Sequence, residues 1–302
     1  MPTNKGSFKL FTLAGISVYV HWSWFLVAVI LFQYRTHEYS SPVWNAAEYL
    51  SLFLIVLIHE FGHQLACRSV GGKTHDIVLW PLGGVAYVSP PERAGAQLWS
   101  IAAGPLVNVV LVPILTVLLF SMGGHPSLYG IEPDEFSKFL NSVWLLNIGL
   151  LVFNMMPVYP LDGGQILRSL LWFIVGRANS LLAASIIGFF GVGLLVLVAI
   201  LLRSIWIGVM AAFILMNCWG GLMHARALSR IAKIPRRAGF ACPSCHAAPP
   251  LGELWRCGKC GQAFDTFATQ AVCPHCGTQF GVAHCMDCGT ASPISAWQGP
   301  IN

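Results

Sequence analysis

The sequence predicts an all-α polytopic membrane protein of about six transmembrane helices, with a short membrane-associated β element and a small cysteine-rich domain after them. Three observations predict it. Hydrophobic residues make up 56% of the 302 positions and charged residues only 10%, against roughly 25% charged in an ordinary soluble domain. The apolar residues fall in blocks long enough to span, since a membrane helix needs about 20. Eight of the ten cysteines lie in four Cys-x-x-Cys pairs near the C-terminus. With so few charges, the net charge of +5 bears on membrane orientation rather than on nucleic acid, which is not expected as a partner.

The expected spans are residues 13–33, 46–67, 97–122, 139–156, 181–202 and 205–223. The first is longer than the apolar core of a cleaved leader, so it is expected as a retained helix. His21, Trp22 and Trp24 at its start suit interfacial anchors. Two further apolar segments do not fit a simple span. Residues 77–88 carry Pro81-Leu82-Gly83-Gly84 among β-branched residues, which suits an extended or hairpin element dipping into the bilayer. Residues 165–175 suit a helix too short to cross. Irregular backbone at membrane depth is tolerated only where it is buried in protein or lines a wet cavity. Both segments therefore point to an internal aqueous site.

Lys and Arg set the orientation. With a cytosolic N-terminus, the inner segments hold Lys5, Lys9, Arg68, Lys73, Arg93, Arg168, Arg177, Arg226, Arg230, Lys233, Arg236 and Arg237. The outer loops hold only Arg35, Lys138 and Arg203. The chain is thus expected as a multi-pass protein of the cell membrane, with residues 1–225 forming the transmembrane domain and 226–240 a basic linker. Residues 241–290 form the cysteine-rich domain and 291–302 a loose tail. That domain then lies in the cytosol, where thiols stay reduced.

Among the acids, Glu60 and Asp162 are singled out inside or at the edge of the expected membrane core. An ionisable group there is costly, and its default role is functional. Glu60 belongs to His59-Glu60-Phe61-Gly62-His63. At helical spacing residues i and i+4 share a face, so both imidazoles can converge on one metal ion. The adjacent carboxylate can then take a proton from water activated by that ion. Zinc in a catalytic site takes three protein ligands, and Asp162 is the candidate third. It follows the helix-breaking run Asn154-Met-Met-Pro157-Val-Tyr-Pro160-Leu161 and lies at the same end of the bundle as His59 and His63. A capping role for Asp162 on the following helix is the alternative.

With these residues stated, the chain resembles the site-2 protease family of intramembrane zinc metalloproteases. The matching pieces are His59 to His63, the run Ala103-Gly104-Pro105-Leu106-Val107-Asn108, and Asn154 to Gly164. Pro81-Leu82-Gly83-Gly84-Val85-Ala86 resembles the family's membrane-inserted β element. The resemblance covers about residues 10 to 225. It implies zinc on His59, His63 and Asp162, Glu60 as general base, and Asn108 and Asn154 lining the cleft. The family's Asn-Pro reads Asn154-Met155 here.

The cysteine pairs have the spacing of zinc thiolates. Cys242 and Cys245 are expected to join Cys257 and Cys260 in one structural zinc site. Cys273 and Cys276 are expected to join Cys285 and Cys288 in a second. Such knuckles resemble a double zinc ribbon, with metal supplying the folding energy of so small a domain. Its basic residues are few, so a regulatory protein is the expected partner. Cys67 and Cys218, alone in apolar stretches, suit packing.

The expected function is zinc-dependent peptide hydrolysis in or near a transmembrane helix of a membrane-protein substrate, with the lipid bilayer as solvent. One catalytic and two structural zinc ions are expected per chain. The alternative is a non-catalytic membrane scaffold that keeps its zinc while the ribbon recruits partners.

Overall fold

The computed structural model describes residues 6–26, 29, 39–80, 83–128 and 134–297. The chain divides into two compact units, residues 1–221 and 222–302.

The first unit opens with a sheet. Strands β1 (Ser7–Leu13) and β2 (Ile16–His21) form a hairpin, and β3 (Lys73–Trp80) and β4 (Gly83–Ser89) form another. The order is β1-β2-β3-β4, with β2 and β3 parallel and the other neighbours antiparallel. The expected first span, 13–33, is therefore corrected at its start: residues 16–21 are a strand, and only residues 23–26 of the described part begin a helix. Alternation explains the strand, because Ile16, Val18 and Val20 point inward. Residues 27, 28 and 30–33 of that span lie outside the described residues, as do Pro81 and Leu82 of the expected β element.

Of the expected anchors, Trp22 is exposed, whereas His21 and Trp24 are buried within the protein. His21 stacks on Trp80 with ring centroids 3.8 Å apart, and Trp24 is buried edge-on against Tyr49 and Phe53.

Among the described residues, four long helices and part of a fifth follow. Helix α1 (Pro42–Ser69) starts on Ser41, whose hydroxyl accepts from the Val43 N–H at 3.3 Å, with Pro42 at a position where its missing donor costs nothing. Helix α2 spans Ala94–Ser121 with Pro105 and Pro113 inside it. Helix α3 (Glu135–Met155) is capped by Asp134, which accepts from the Ser137 N–H at 2.6 Å. Helix α4 (Asp162–Leu201) is broken at Gly176, where φ is 80°. The break leaves a short first half matching the expected helix at 165–175 and a second half matching the span at 181–202. Helix α5 (Ile205–Ala232) follows after Arg203 and runs into the second unit. All five are long and apolar enough to cross a membrane, and the chain is a multi-pass membrane protein.

Packing places the sheet on α1. Ile16, Val18, Val20, Ile77 and Leu79 meet Val56 and Leu57 on the helix. Between α1 and α2 the approach is close at Gly62, where a Cβ would stand 2.8 Å from the Ala103 carbonyl oxygen and 2.9 Å from Val107 Cγ2. Small residues let membrane helices gain van der Waals contact where no hydrophobic drive exists between them. A second cluster, Val158, Val192, Ile214 and Cys218, packs the loop that delivers Asp162 to α4.

In the second unit four knuckles sit at the tips of short pairings. Strands β5 (Trp255–Arg256) and β6 (Ala263–Phe264) flank one, β7 (Ala283–His284) and β8 (Ala291–Ser292) another. Isolated bridges Arg236↔Pro250 and Val272↔Gln279 flank the other two. A single core of Trp255, Phe264, Phe267 and Trp297 lies among them. The expected boundaries are corrected at both ends. The expected linker holds the end of α5 and the bridging Arg236, and the expected tail holds β8 and a 3-10 turn, Ile294–Trp297, that buries Trp297 completely.

Candidate metal centre and cysteine clusters

His59 and His63 lie one turn apart on α1, and Asp162 opens α4. Their ligand atoms converge. His59 Nε2 lies 3.0 Å from Asp162 Oδ2, His63 Nε2 lies 3.4 Å from the same oxygen, and the two Nε2 atoms are 3.1 Å apart. Tetrahedral zinc with ligands at about 2.0–2.1 Å separates them by about 3.3 Å. The donor set and its edges therefore fit a zinc ion. The expected ligands are brought together; Asp162 opens the helix as a ligand would, and no side-chain hydrogen bond caps that helix.

The other ring nitrogens fix the orientation. His63 Nδ1–H donates to the Ser100 carbonyl at 2.9 Å, and His59 Nδ1–H donates to Asn108 Oδ1 at 2.5 Å. Both Nε2 lone pairs are thereby turned toward the cluster, the usual arrangement for a ligating histidine. Gly104 is required beside them, because a Cβ there would meet His59 Nε2 at 2.7 Å and overlap the His63 ring. Glu60 is buried, and its carboxylate lies directly over Gly84 of β4, where a Cβ would overlap it. The β element thus reaches Glu60 by backbone alone.

Of the expected asparagines, Asn108 is at the site and fully buried. Asn154 is half-buried near the end of α3 and makes no hydrogen bond to the cluster among the described residues. The partner that the sequence did not single out is Asn147. Its side chain accepts from Asn108 Nδ2 at 2.8 Å and donates to the Asn108 carbonyl at 3.0 Å. A buried asparagine in a spanning helix was its signal. Glu48 was missed as well; it is buried in the first turns of α1, with Tyr39 Oη 3.1 Å from its Oε2.

The cysteines form two groups of four, but the expected pairing is corrected. Cys242 and Cys245 join Cys285 and Cys288, and Cys257 and Cys260 join Cys273 and Cys276, so one site encloses the other in sequence. Sulfur separations of 3.6 Å (Cys242 to Cys288), 3.7 Å (Cys245 to Cys285), 3.5 Å (Cys257 to Cys276) and 3.7 Å (Cys260 to Cys273) match the edge of about 3.75 Å for tetrahedral zinc with Zn–S of 2.3 Å. The cause is closure of the chain ends. The Ala241 N–H donates to the Trp297 carbonyl at 2.8 Å, and the Trp255 indole donates to the His284 carbonyl at 3.1 Å. Arg236 also holds Asp287 of the fourth knuckle through two bonds of 2.6 and 3.0 Å. These contacts bring the fourth knuckle beside the first.

All four knuckles share one backbone. The N–H of the residue after each second cysteine donates to the first cysteine's carbonyl at 2.9 Å. That residue is Gly261, Gly277 or Gly289 in three knuckles and His246 in the first, all with positive φ. The Thr278 hydroxyl, 3.2 Å from Cys276 Sγ, holds that thiol down to about 6, which favours the thiolate a metal needs.

The geometry has counterparts in known proteins. Residues 47–134 and 130–198 match the family described as peptidase family M50. The chain is 32% identical over 186 residues to a zinc metalloprotease of Methanocaldococcus jannaschii, covering 60% of this chain and 50% of the relative. It is 31% identical over 122 residues to stage IV sporulation protein FB of Bacillus subtilis, covering 39% of this chain and 38% of that protein. The solved structure of a site-2 protease from Methanocaldococcus jannaschii superposes with a TM-score of 0.53 at 27% identity, over 72% of this chain and 95% of that one. The chain spans about half the length of the first curated relatives it matches.

Proposed function

The chain belongs to peptidase family M50, and from that premise we propose that it is a zinc metalloendopeptidase that cuts peptide bonds in or near transmembrane segments of membrane proteins. Regulated cleavage of a membrane-tethered factor and clearance of signal-peptide remnants are the roles such an activity serves. The observation that carries the reading is the convergence of His59, His63 and Asp162 with a buried Glu60 beside them on a spanning helix.

When bound there, zinc supplies a Lewis acid for the scissile carbonyl and lowers the pKa of water. The residues do the rest. Asn108 and the Ser100 carbonyl hold the two imidazoles in the ligating tautomer. Glu60 takes the proton from the attacking water and passes it to the leaving amine. Helical peptide bonds are shielded by their own hydrogen bonds, so the substrate must unwind. Strand β4 stands at one edge of the sheet, directly over Glu60, and an unwound segment added there as a fifth strand would find replacement partners. Asn108 and Asn154 are proposed to line the cleft.

The N-terminus and the ribbon are proposed to be cytosolic, from the excess of Lys and Arg on that side. The ribbon holds two structural zinc ions, and a regulatory protein is its proposed partner. The test compares wild type with Glu60→Gln on a panel of single-span substrates in proteoliposomes. Cleavage should drop to background in the variant while metal content stays constant. Undiminished cleavage by Glu60→Gln sinks the mechanism.

A further inference from the structure

Helix α4 carries an arginine on each side of its break at Gly176. Arg168 and Trp172, four residues apart in the first half, share a face. In an unbroken helix Arg177 would stand about 140° around the axis from Trp172. The backbone at Gly176, with φ 80° and ψ 172°, is a conformation open essentially to glycine alone, and it turns Arg177 back. Both guanidinium carbons lie 5.8 Å from the centroid of the Trp172 ring. Their charges are not equally answered. Arg177 Nη2 is 2.9 Å from Glu92 Oε1, just ahead of α2. Among the described residues no ion pair includes Arg168, and its buried Nε donates no hydrogen bond. A ring face attracts a cation but carries no charge to cancel it. Two guanidiniums at one ring also repel each other. An unanswered cation in a membrane domain is costly and marks a functional position by default.

The place can be reached from outside the protein. Arg177 and Glu92 keep 20% and 30% of their side-chain exposure, and Arg168 and Trp172 are half-buried. The opposite face of the half-helix is apolar. Leu170, Phe173 and Ile174 are exposed there, on one stripe of three- and four-residue spacing. The half before Gly176 is too short to cross a bilayer. A short helix with an exposed apolar stripe and arginine opposite it suits the interface, with the arginine at headgroup level. We propose that Arg168 and Arg177 bind the phosphate group of an anionic phospholipid beside Trp172. The planar fork of arginine matches two phosphate oxygens at once. Glu92 repels the same phosphate, so it tempers the site without closing it. The inference does not depend on the protease reading, because lipid binding is measured without turnover.

The test titrates the full chain, in neutral detergent, with phosphatidylglycerol and counts retained lipid by native mass spectrometry. Wild type should hold this lipid several-fold more tightly than phosphatidylcholine, whose phosphate is balanced by its own cation. Arg168→Gln should weaken retention by about tenfold or more, the worth of one charge-assisted hydrogen bond. Arg168→Lys, which keeps the charge and loses the fork, should fall between the two. Arg226→Gln removes one exposed cation from α5 and should leave retention at the wild-type level. Glu92→Gln should strengthen retention several-fold, a gain that misfolding does not produce. If Arg168→Gln fails to fold, Arg168→Lys and Glu92→Gln decide the matter. Equal retention of the two lipids, or equal losses in Arg168→Gln and Arg226→Gln, overturns the site. Unchanged retention in Glu92→Gln together with Arg168→Lys overturns it as well. Glycerol 3-phosphate is the soluble arm. Its binding with the same dependence on Arg168, without any preference for the lipid, overturns the lipid headgroup as the source of the phosphate.

Discussion

Asn147 holds Asn108 by two hydrogen bonds, and Asn108 in turn accepts from His59 Nδ1–H. The His59 ring on α1 is thus oriented by a residue on α3 that never touches it. Outer partners of metal ligands are typically worth 10–100-fold in affinity or activity. Asn147→Leu should therefore lower activity by at least tenfold and weaken binding of the catalytic zinc. Asn147→Gln should recover part of both. Zinc competition with a chelator of known affinity, alongside turnover, checks the coupling.

Gly104 is the contact point of both imidazoles with α2. Gly104→Ala should displace His63 and empty the catalytic site. Metal analysis of the full chain should fall from about three ions to about two, with ribbon zinc retained. A count unchanged from wild type, with normal activity, contradicts this packing.

The nested cysteine sites separate cleanly from successive ones by double substitution. Cys245→Ser and Cys285→Ser should each release one structural zinc, and the double variant should still release only one. Cys245→Ser combined with Cys260→Ser should release two. Successive pairing gives the reverse pattern, and the zinc count alone distinguishes them.

His246 stands in the left-handed conformation that glycine fills in the other three knuckles, with φ of 59°. A β-carbon there costs about 1–2 kcal/mol. His246→Gly should stabilise the ribbon by about 1 kcal/mol and slow zinc loss to a chelator. Limited proteolysis of the full chain at rising temperature measures the first effect directly.

The convergence of His59, His63 and Asp162 was legible because its signal is local and chemical. Two histidines at i and i+4 inside an apolar block have one economical explanation, and the Pro/Gly break before Asp162 shows how a carboxylate can turn inward. The first span was not legible in the same way. Residues 13–33 form a mostly apolar run interrupted by Ser17, His21, Ser23 and Gln33, and length outweighed the alternation of Ile16, Val18 and Val20 that marks a strand buried on one face. Asn147 and Glu48 lay inside such runs too, without a motif to single them out. Cysteine spacing identifies knuckles but not their pairing. Here the pairing depends on contacts such as Arg236 to Asp287 and Ala241 to Trp297, which join residues remote in sequence.

Nesting also imposes an order of assembly. The inner site joins Cys257 and Cys260 to Cys273 and Cys276 across one short connection, whereas the outer site must close the whole stretch from Cys242 to Cys288. Loop closure becomes more costly as the closed segment lengthens. A metal bound first at the inner site would shorten the loop that the outer site has to close, so the domain is expected to assemble from its middle outward. A zinc titration below stoichiometry should protect the inner thiols from alkylation first.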